Sequence, residues 1–333
     1  MITTMLLEFV VLLAVDTAFI GFCLLLLLPL SLYKKAAFAV LKRNFVGYFM
    51  NPTGYIFLCL FVLLTSLAAF WPHEFFNANL ANLDQLNRFL PYIMLIFIPA
   101  ITMSMWSEER RQGTDELLLT LPADDFDIVV GKYCAAAAIY TCSLIFSQLS
   151  HYAVLVSLTY GLLDQGLLCA TYIGYWLTGL AMIAIGMIAS FWTKNLTVGF
   201  ILGVLLNAPL AFAANANTII PFDRLSQIVE AWSISAMFDD FGRGVVSSSS
   251  IVYFLGIVAL GLYVSMILIA TRHWFGGKDS IARIGHYLLR VAALLLALGS
   301  LTFFLTNHDI RYDATEEKVS SLSPDTIAIL KQL

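Results

Sequence analysis

Eight long apolar stretches dominate the sequence. They lie at about residues 9–32, 53–71, 89–106, 133–160, 169–192, 196–214, 251–271 and 288–306. A transmembrane α-helix needs roughly 20 mostly apolar residues, and these stretches are of that order. Only 12% of the 333 residues are charged, whereas soluble domains carry about 25%. The sequence therefore predicts an all-α, polytopic integral membrane protein with about eight transmembrane helices.

Lys and Arg are unevenly distributed between the connecting segments. Residues 33–52, 107–132, 193–195 and 272–290 together carry 12 of the 18 basic residues. Because cytosolic loops are enriched in Lys and Arg, these segments are expected inside and both termini outside. The net charge of −4 indicates no basic face, so a nucleic-acid partner is not expected.

No arrangement of residues indicates catalysis, a metal site or a cofactor. The five Cys and five His residues lack metal-ligand spacing. Gly276-Gly277-Lys278 is not a phosphate-binding loop, because Arg272 stands where the first glycine belongs and Asp279 follows the lysine. We therefore predict that the chain is not an enzyme and has no ATP site of its own.

Charged residues are also absent from the depth of the second to seventh spans. Ion-driven carriers depend on such groups, so energy for transport would come from outside the chain. The first span differs, because Asp16 lies well inside it. Asp16 is either a functional acid or a helix-packing residue.

Residues 34–50 mix basic and apolar side chains, including Lys42 and Arg43. This pattern predicts an amphipathic helix along the inner leaflet, in contact with membrane lipid. A solvated basic loop is the alternative. Asn51 and Pro52, followed by Gly54, are expected to break the helix and turn the chain into the membrane.

Residues 107–132 form the main polar interruption on the expected cytosolic side. Ser107 is predicted to cap a helix with Glu108 and Glu109 in its first turn. Pro122 would end this helix, and Asp124 would cap the next one. A surface helix between two spans could carry force from a cytosolic partner. A solvated amphipathic loop is equally consistent with the pattern.

The same segment carries a family resemblance. E-E-R-R-x-x-G-T-x-E-L-L-L-T-x-P, followed by I-V-x-G-K, resembles the signature of ABC type-2 transporter permeases, with the gliding-motility-associated permeases of bacteria as the nearest branch. The resemblance assigns contact with an ATPase to Glu108, Glu109, Arg110, Gly113, Thr114, Glu116, Leu117, Leu118, Pro122, Gly131 and Lys132. Two further motifs support it, namely N-P-T-G-Y-I at residues 51–56 and an outer-loop motif containing Phe241, Arg243 and Gly244.

The resemblance implies the membrane subunit of an exporter in the bacterial inner membrane. Such a permease pairs with a second permease copy, as a homodimer or heterodimer, and with cytosolic ABC ATPases that hold ATP and Mg. The family's substrates are often lipids, glycans or drugs. A membrane scaffold or signalling subunit, which binds an ATPase without moving a substrate, is the alternative.

The tail resembles a different protein. Arg311-Tyr312-Asp313-x-Thr315 and the residues that follow are similar to the start of the auxiliary extracytoplasmic protein that accompanies such permeases. The expected organisation is an extra transmembrane helix at 1–33, a permease domain at 34–272, a cytosolic linker at 273–287, and a helix with the start of an auxiliary domain at 288–333. An ordinary terminus is the alternative for the tail.

Overall fold

The computed structural model describes residues 2–71, 75, 82–115, 123–158, 163–272 and 280–321. Within these ranges, eight helices are long and apolar enough to cross a membrane. This finding confirms the predicted all-α polytopic fold and the eight predicted spans.

The helices follow the chain with short connections. They are α1 (Ile2–Tyr33), α2 (Lys35–Met50), α3 (Pro52–Ala69), α4 (Asp84–Thr102), α5 (Ser104–Gln112), α6 (Asp125–Leu158), α7 (Gln165–Phe191), α8 (Leu196–Phe212), a 3-10 turn (Ala213–Asn215), α9 (Ala216–Ile219), α10 (Asp223–Ala231), α11 (Ile234–Gly242), α12 (Ser248–Arg272) and α13 (Ser280–Asn307). The last helix begins at Ser280, earlier than the predicted span at 288.

Helix α7 forms the centre of the bundle. It is apolar all round, as expected for a helix surrounded by others, and it packs against α4, α6, α8 and α12. Its side chains from Ala181 to Ala184 are fully buried. Gly179 allows a close approach to α6, because a Cβ there would overlap the Tyr140 ring.

Helices α1 and α13 lie at the periphery. Leu24 and Leu25 of α1 and Leu296 and Phe303 of α13 are more than half exposed. In a membrane protein such side chains face lipid, so their exposure carries no hydration penalty.

Helix α2 lies across the beginning of α6, with Ala37 and Leu41 buried between them. The chain then turns as predicted: Asn51 adopts an extended conformation, its side chain accepts hydrogen bonds from Thr53, and Pro52 begins α3. Gly54 is required here, because a Cβ would overlap the carbonyl oxygen of Tyr48.

The structure adds a small sheet at the predicted outer side. Strand β1 (Val245–Ser247) pairs antiparallel with β2 (Arg311–Asp313), so that Val246 lies opposite Tyr312. The tail after α13 therefore returns to the segment that precedes α12. The two elements are more than 60 residues apart in the sequence, and hydropathy does not indicate their pairing.

Candidate functional site

The polar segment after α4 begins differently from the prediction. Helix α5 starts at Ser104, only one residue after α4 ends. Ser107 is therefore not a cap: it is buried within α5, and its hydroxyl donates to the carbonyl of Met103. The capping prediction is wrong because the buried Trp106 holds this turn against α7, where the hydroxyl of Ser190 accepts the Trp106 backbone N–H at 2.8 Å.

Glu108 consequently lies at the middle of α5 and Glu109 just beyond it, and neither is in the first turn. The helix ends at Gly113, which adopts the left-handed conformation with φ 71°, a common ending because glycine has no Cβ. Thr114 follows and donates its hydroxyl to the carbonyl of Glu109 at 3.4 Å. Four further predicted residues, Glu116, Leu117, Leu118 and Pro122, lie outside the described residues.

Glu109 connects three helices through its carboxylate. One oxygen pairs with Arg43 of α2 at 2.5 Å, and the other pairs with Lys132 of α6 at 2.6 Å. The Lys132 ammonium also donates to the carbonyl of Met105 and lies 4.4 Å from the centroid of the Trp106 ring. We call Arg43, Trp106, Glu109 and Lys132 the cytosolic latch.

Lys132 is the most buried charged residue of the latch, with 1% of its side chain exposed. The sequence analysis assigned Lys132 to the polar surface segment at residues 107–132. Helix α6 already begins at Asp125, however, so Lys132 lies inside the bundle. A buried charge is tolerated only when it is paired and hydrogen-bonded. Glu109, the Met105 carbonyl and the Trp106 ring supply this environment.

A second contact joins α2 to α6. Lys34 forms ion pairs with Asp127 at 3.1 Å and with Asp124 at 3.2 Å. The hydrogen bonds to Asp127 and Asp124 raise the pKa of Lys34. Asp124 immediately precedes α6, as predicted, but its carboxylate faces Lys34. Gly131 lets α2 approach closely, because a Cβ there would lie 2.5 Å from the Ala37 carbonyl oxygen.

The two neighbouring arginines of α5 have different environments. Arg110 donates to the carbonyl of Phe191, at the end of α7, and lies over the Phe191 ring at 5.6 Å. Arg111 pairs with Glu108 at 2.7 Å on the exposed side of the helix. Lys42 of α2 is also exposed. Arg110 thus extends the anchoring of α5 to α7, whereas Glu108 and Arg111 pair with each other on the exposed side of α5.

The predicted outer-loop residues lie at the other end of α7. Phe241 is fully buried, and its carbonyl accepts the Thr171 hydroxyl at 3.3 Å. Thr171 and Phe191 are 20 residues apart on α7, which corresponds to about 30 Å at 1.5 Å per residue. The latch and the outer-loop motif are therefore two separate groups.

The tail that follows α13 packs against the outer-loop motif. Gly244 adopts φ 81°, and its carbonyl accepts the Ala314 N–H at 2.9 Å. A Cβ at Gly244 would overlap the methyl group of Thr315. Arg243 pairs with Asp239 at 2.7 Å on the surface, and its carbonyl accepts the Ser320 hydroxyl.

Asp309 fixes the tail to the start of α12, a role that the sequence did not reveal. Its carboxylate accepts the Ser248 hydroxyl at 2.9 Å, the Ser249 N–H and hydroxyl at 3.1 Å, and the Arg311 guanidinium at 3.1 Å. Partial burial alone would raise the pKa of Asp309, but these hydrogen bonds outweigh it and hold the pKa below its usual value. The serine run at 247–250 was the available signal.

The residues that the structure describes contain no group of three or more His, Cys, Asp or Glu side chains that could hold a metal ion. The site offers ion pairs and packing contacts at a helix surface.

Comparison with known proteins identifies the family. Residues 16–220 match the profile described as ABC-2 family transporter protein. This segment includes α2 to α8, and thus every member of the latch. No curated protein matches the chain. Since the profile covers more than half of the 333 residues, the chain belongs to the ABC-2 transporter family and is the membrane-spanning permease component of an ABC transporter.

Proposed function

We propose that this chain is the permease subunit of an ATP-driven exporter, moved by a separate cytosolic ABC ATPase through residues 107–122. The cytosolic latch is the observation that carries the proposal. It makes α5 a surface helix whose position is tied to the membrane helices behind it.

Force on α5 would reach several membrane helices at once. Helix α5 continues α4 after a single residue. Glu109 ties it to α2 and α6, and Arg110 and Trp106 tie it to the end of α7. A partner that displaced α5 would therefore move the central helix of the bundle together with its neighbours.

The partner would bind the exposed polar side of α5. Glu108, Arg111 and the turn at Gly113 lie there, beside Lys42 and Arg43 of α2. Charged, partly exposed groups of both signs favour recognition of a soluble protein surface by complementary charge. ATP and Mg would be bound by this ATPase.

The remaining partners and the location follow from the resemblance. A second permease copy, identical or different, would complete the transport path. The gliding-motility branch implies the bacterial inner membrane and an auxiliary extracytoplasmic domain, which is consistent with a tail that docks on the outer loops. Membrane lipid would contact the exposed face of α2.

Two matched variants test the proposal. The complex is purified with its ATPase from native membranes, the ATPase is identified by its P-loop sequence, and hydrolysis is measured in liposomes. Glu109→Gln is expected to retain membrane insertion but lose stimulation of ATP hydrolysis. Asp223→Asn, an exposed carboxylate at the start of α10 on the predicted outer side, is the control and should keep stimulation.

Three outcomes would contradict the proposal. Failure to recover a P-loop ATPase from membranes with intact permease would remove the coupling role. Equal effects of the two variants would show that the latch does not transmit force. Coupled hydrolysis without flux of lipid, glycan or drug substrates would favour the scaffold alternative.

A further inference from the structure

Three buried polar side chains lie near one another inside the membrane-spanning part of the bundle. They are Asp16 of α1, His151 of α6 and Tyr172 of α7. His151 and Tyr172 each lie seven residues from the predicted outer end of their candidate spans. Seven residues correspond to about 10 Å of helix. These two groups therefore lie well below the outer surface, and the contacts of Phe9 and Phe19 place Asp16 at the same level.

Two aromatic pairs pack α1 against α6 and α7, one on each side of Asp16 along the helix. Phe9 packs edge-on against Tyr152 of α6, with ring centroids 5.6 Å apart. Phe19 packs in the same way against Trp176 of α7 at 5.4 Å. Asp16 lies between these two contacts on α1, so it is held at the boundary of α6 and α7.

The polar groups are linked across that boundary. The Tyr172 hydroxyl and Nδ1 of His151 are 2.6 Å apart. The Asp16 carboxyl is close enough to act electrostatically on the Tyr172 hydroxyl and the Cys169 thiol. Tyr172 is thus the middle member of the group.

Asp16 and His151 both have an unused polar atom. Asp16 is 5% exposed and His151 is 1% exposed. Oδ2 of Asp16 and Nε2 of His151 have no hydrogen-bond partner among the described residues. Both atoms are therefore buried and able to bind a further hydrogen-bonding species.

No Lys or Arg pairs with Asp16 in the described part of the chain. The titratable groups that face it are Cys169 and Tyr172 from α7, with His151 beyond Tyr172 and Tyr152 beside it on α6. None of these supplies a fixed positive charge. An ionised, unpaired carboxylate is costly at this depth, and a bound proton removes that cost.

We propose that Asp16, Tyr172 and His151 form a proton-binding site within the membrane, in which a protonated Asp16 keeps α1 docked on α6 and α7. Loss of the proton to the outer solution leaves a carboxylate that must reach water. Because the carboxylate is stabilised by water and not by the bundle interior, its ionisation favours separation of α1 from α6 and α7. The site is independent of the cytosolic latch and of its proposed ATPase.

The protonation state is tested by infrared spectroscopy of the full chain in lipid nanodiscs. At neutral pH, the carbonyl stretch of a protonated carboxylic acid is expected in the wild type and absent in Asp16→Asn. Asp84→Asn, at the start of α4, is the matched control and should retain the band. His151→Gln should change the pH at which the band disappears.

Docking of α1 is tested by the modification rate of native Cys169, measured by mass spectrometry with a membrane-permeable maleimide. At alkaline pH, Cys169 should react several-fold faster in the wild type than in Asp16→Asn, which cannot ionise. The comparison at one pH removes the intrinsic effect of pH on the thiol, and the direct effect of the Asp16 carboxylate, which disfavours the Cys169 thiolate, would act in the opposite direction. Absence of a band lost in Asp16→Asn would overturn proton binding, and equal rates at every pH would overturn the docking role.

Discussion

Replacing Glu109 by Gln is expected to destabilise the protein by about 3–5 kcal/mol, the usual result of leaving one member of a buried ion pair without its partner. The size follows from Lys132, which is 1% exposed and would lose its paired carboxylate, keeping neutral acceptors, the Trp106 ring and the electrostatic influence of Asp115. The cation–π contact of Lys132 with Trp106 contributes about 2 kcal/mol when desolvated. It is already present in the wild type, so it does not offset the loss of the ion pair. Arg43 adds little, because its side chain is 57% exposed and would become solvated.

A double-mutant cycle isolates this interaction. Lys132→Met keeps the length of the side chain and removes its charge. Glu109→Gln combined with Lys132→Met should therefore be more stable than Glu109→Gln alone, with an interaction energy of about 2–3 kcal/mol. The free energy of unfolding is measured by titration with SDS in mixed micelles, followed by tryptophan fluorescence.

The exposed pair on the same helix provides the control. Glu108→Gln breaks the contact with Arg111, whose side chain is 57% exposed, and should change the stability by at most about 1 kcal/mol. If Glu109→Gln were as mild as Glu108→Gln, or if Lys132→Met gave no recovery, the assignment of the latch as a buried, mutually dependent group would be refuted.

Further predictions concern close approaches and the tail. Gly131→Ala should loosen α2 and lower the thermal midpoint, because the added Cβ meets backbone, whereas Gly47→Ala on α2 itself has open space and should be neutral or stabilising. Gly244→Ala should release the tail, because the positive φ of residue 244 and the neighbouring Thr315 methyl group both oppose an added Cβ. A spin label attached to the tail would then show increased mobility. Gly113→Ala has the positive φ but open space, and should lose only about 1–2 kcal/mol. The pKa of Asp309 is lowered in the folded state, so its stabilisation is complete above the unfolded value of about 3.9 and is lost as pH falls through the lower folded value. The spin-label mobility should rise in that acidic range, and Asp309→Asn should remove the part of the rise that Asp313, whose pKa is also lowered by hydrogen bonds from Thr315 and Ser320, does not cause.

The membrane helices could be predicted because their determinants are local. Lipid requires each span to satisfy its backbone within a helix and to present apolar side chains, so a run such as 196–214 identifies α8 directly. The turn between α2 and α3 was equally local, since Asn51 and Pro52 act through their own backbone and side-chain preferences.

The start of α5 could not be predicted in the same way. Ser107 and Glu108 form a good capping pattern, but Trp106 packs against α7 and keeps the helix continuous through Ser107. Packing with a helix some 80 residues away prevailed over a local preference, which contributes only about 1 kcal/mol.

The sequence by itself determined the solvent of this protein, the number and approximate positions of its membrane helices, and, through the polar segment after α4, the family resemblance that the comparison supports. The tertiary structure alone decided which charged groups meet their partners: Glu109 with Lys132 and Arg43, and Asp309 with the start of α12. Hydropathy depends on consecutive residues and is readable along the chain. A buried charge depends on its partner, and helix packing brings that partner from a distant part of the sequence.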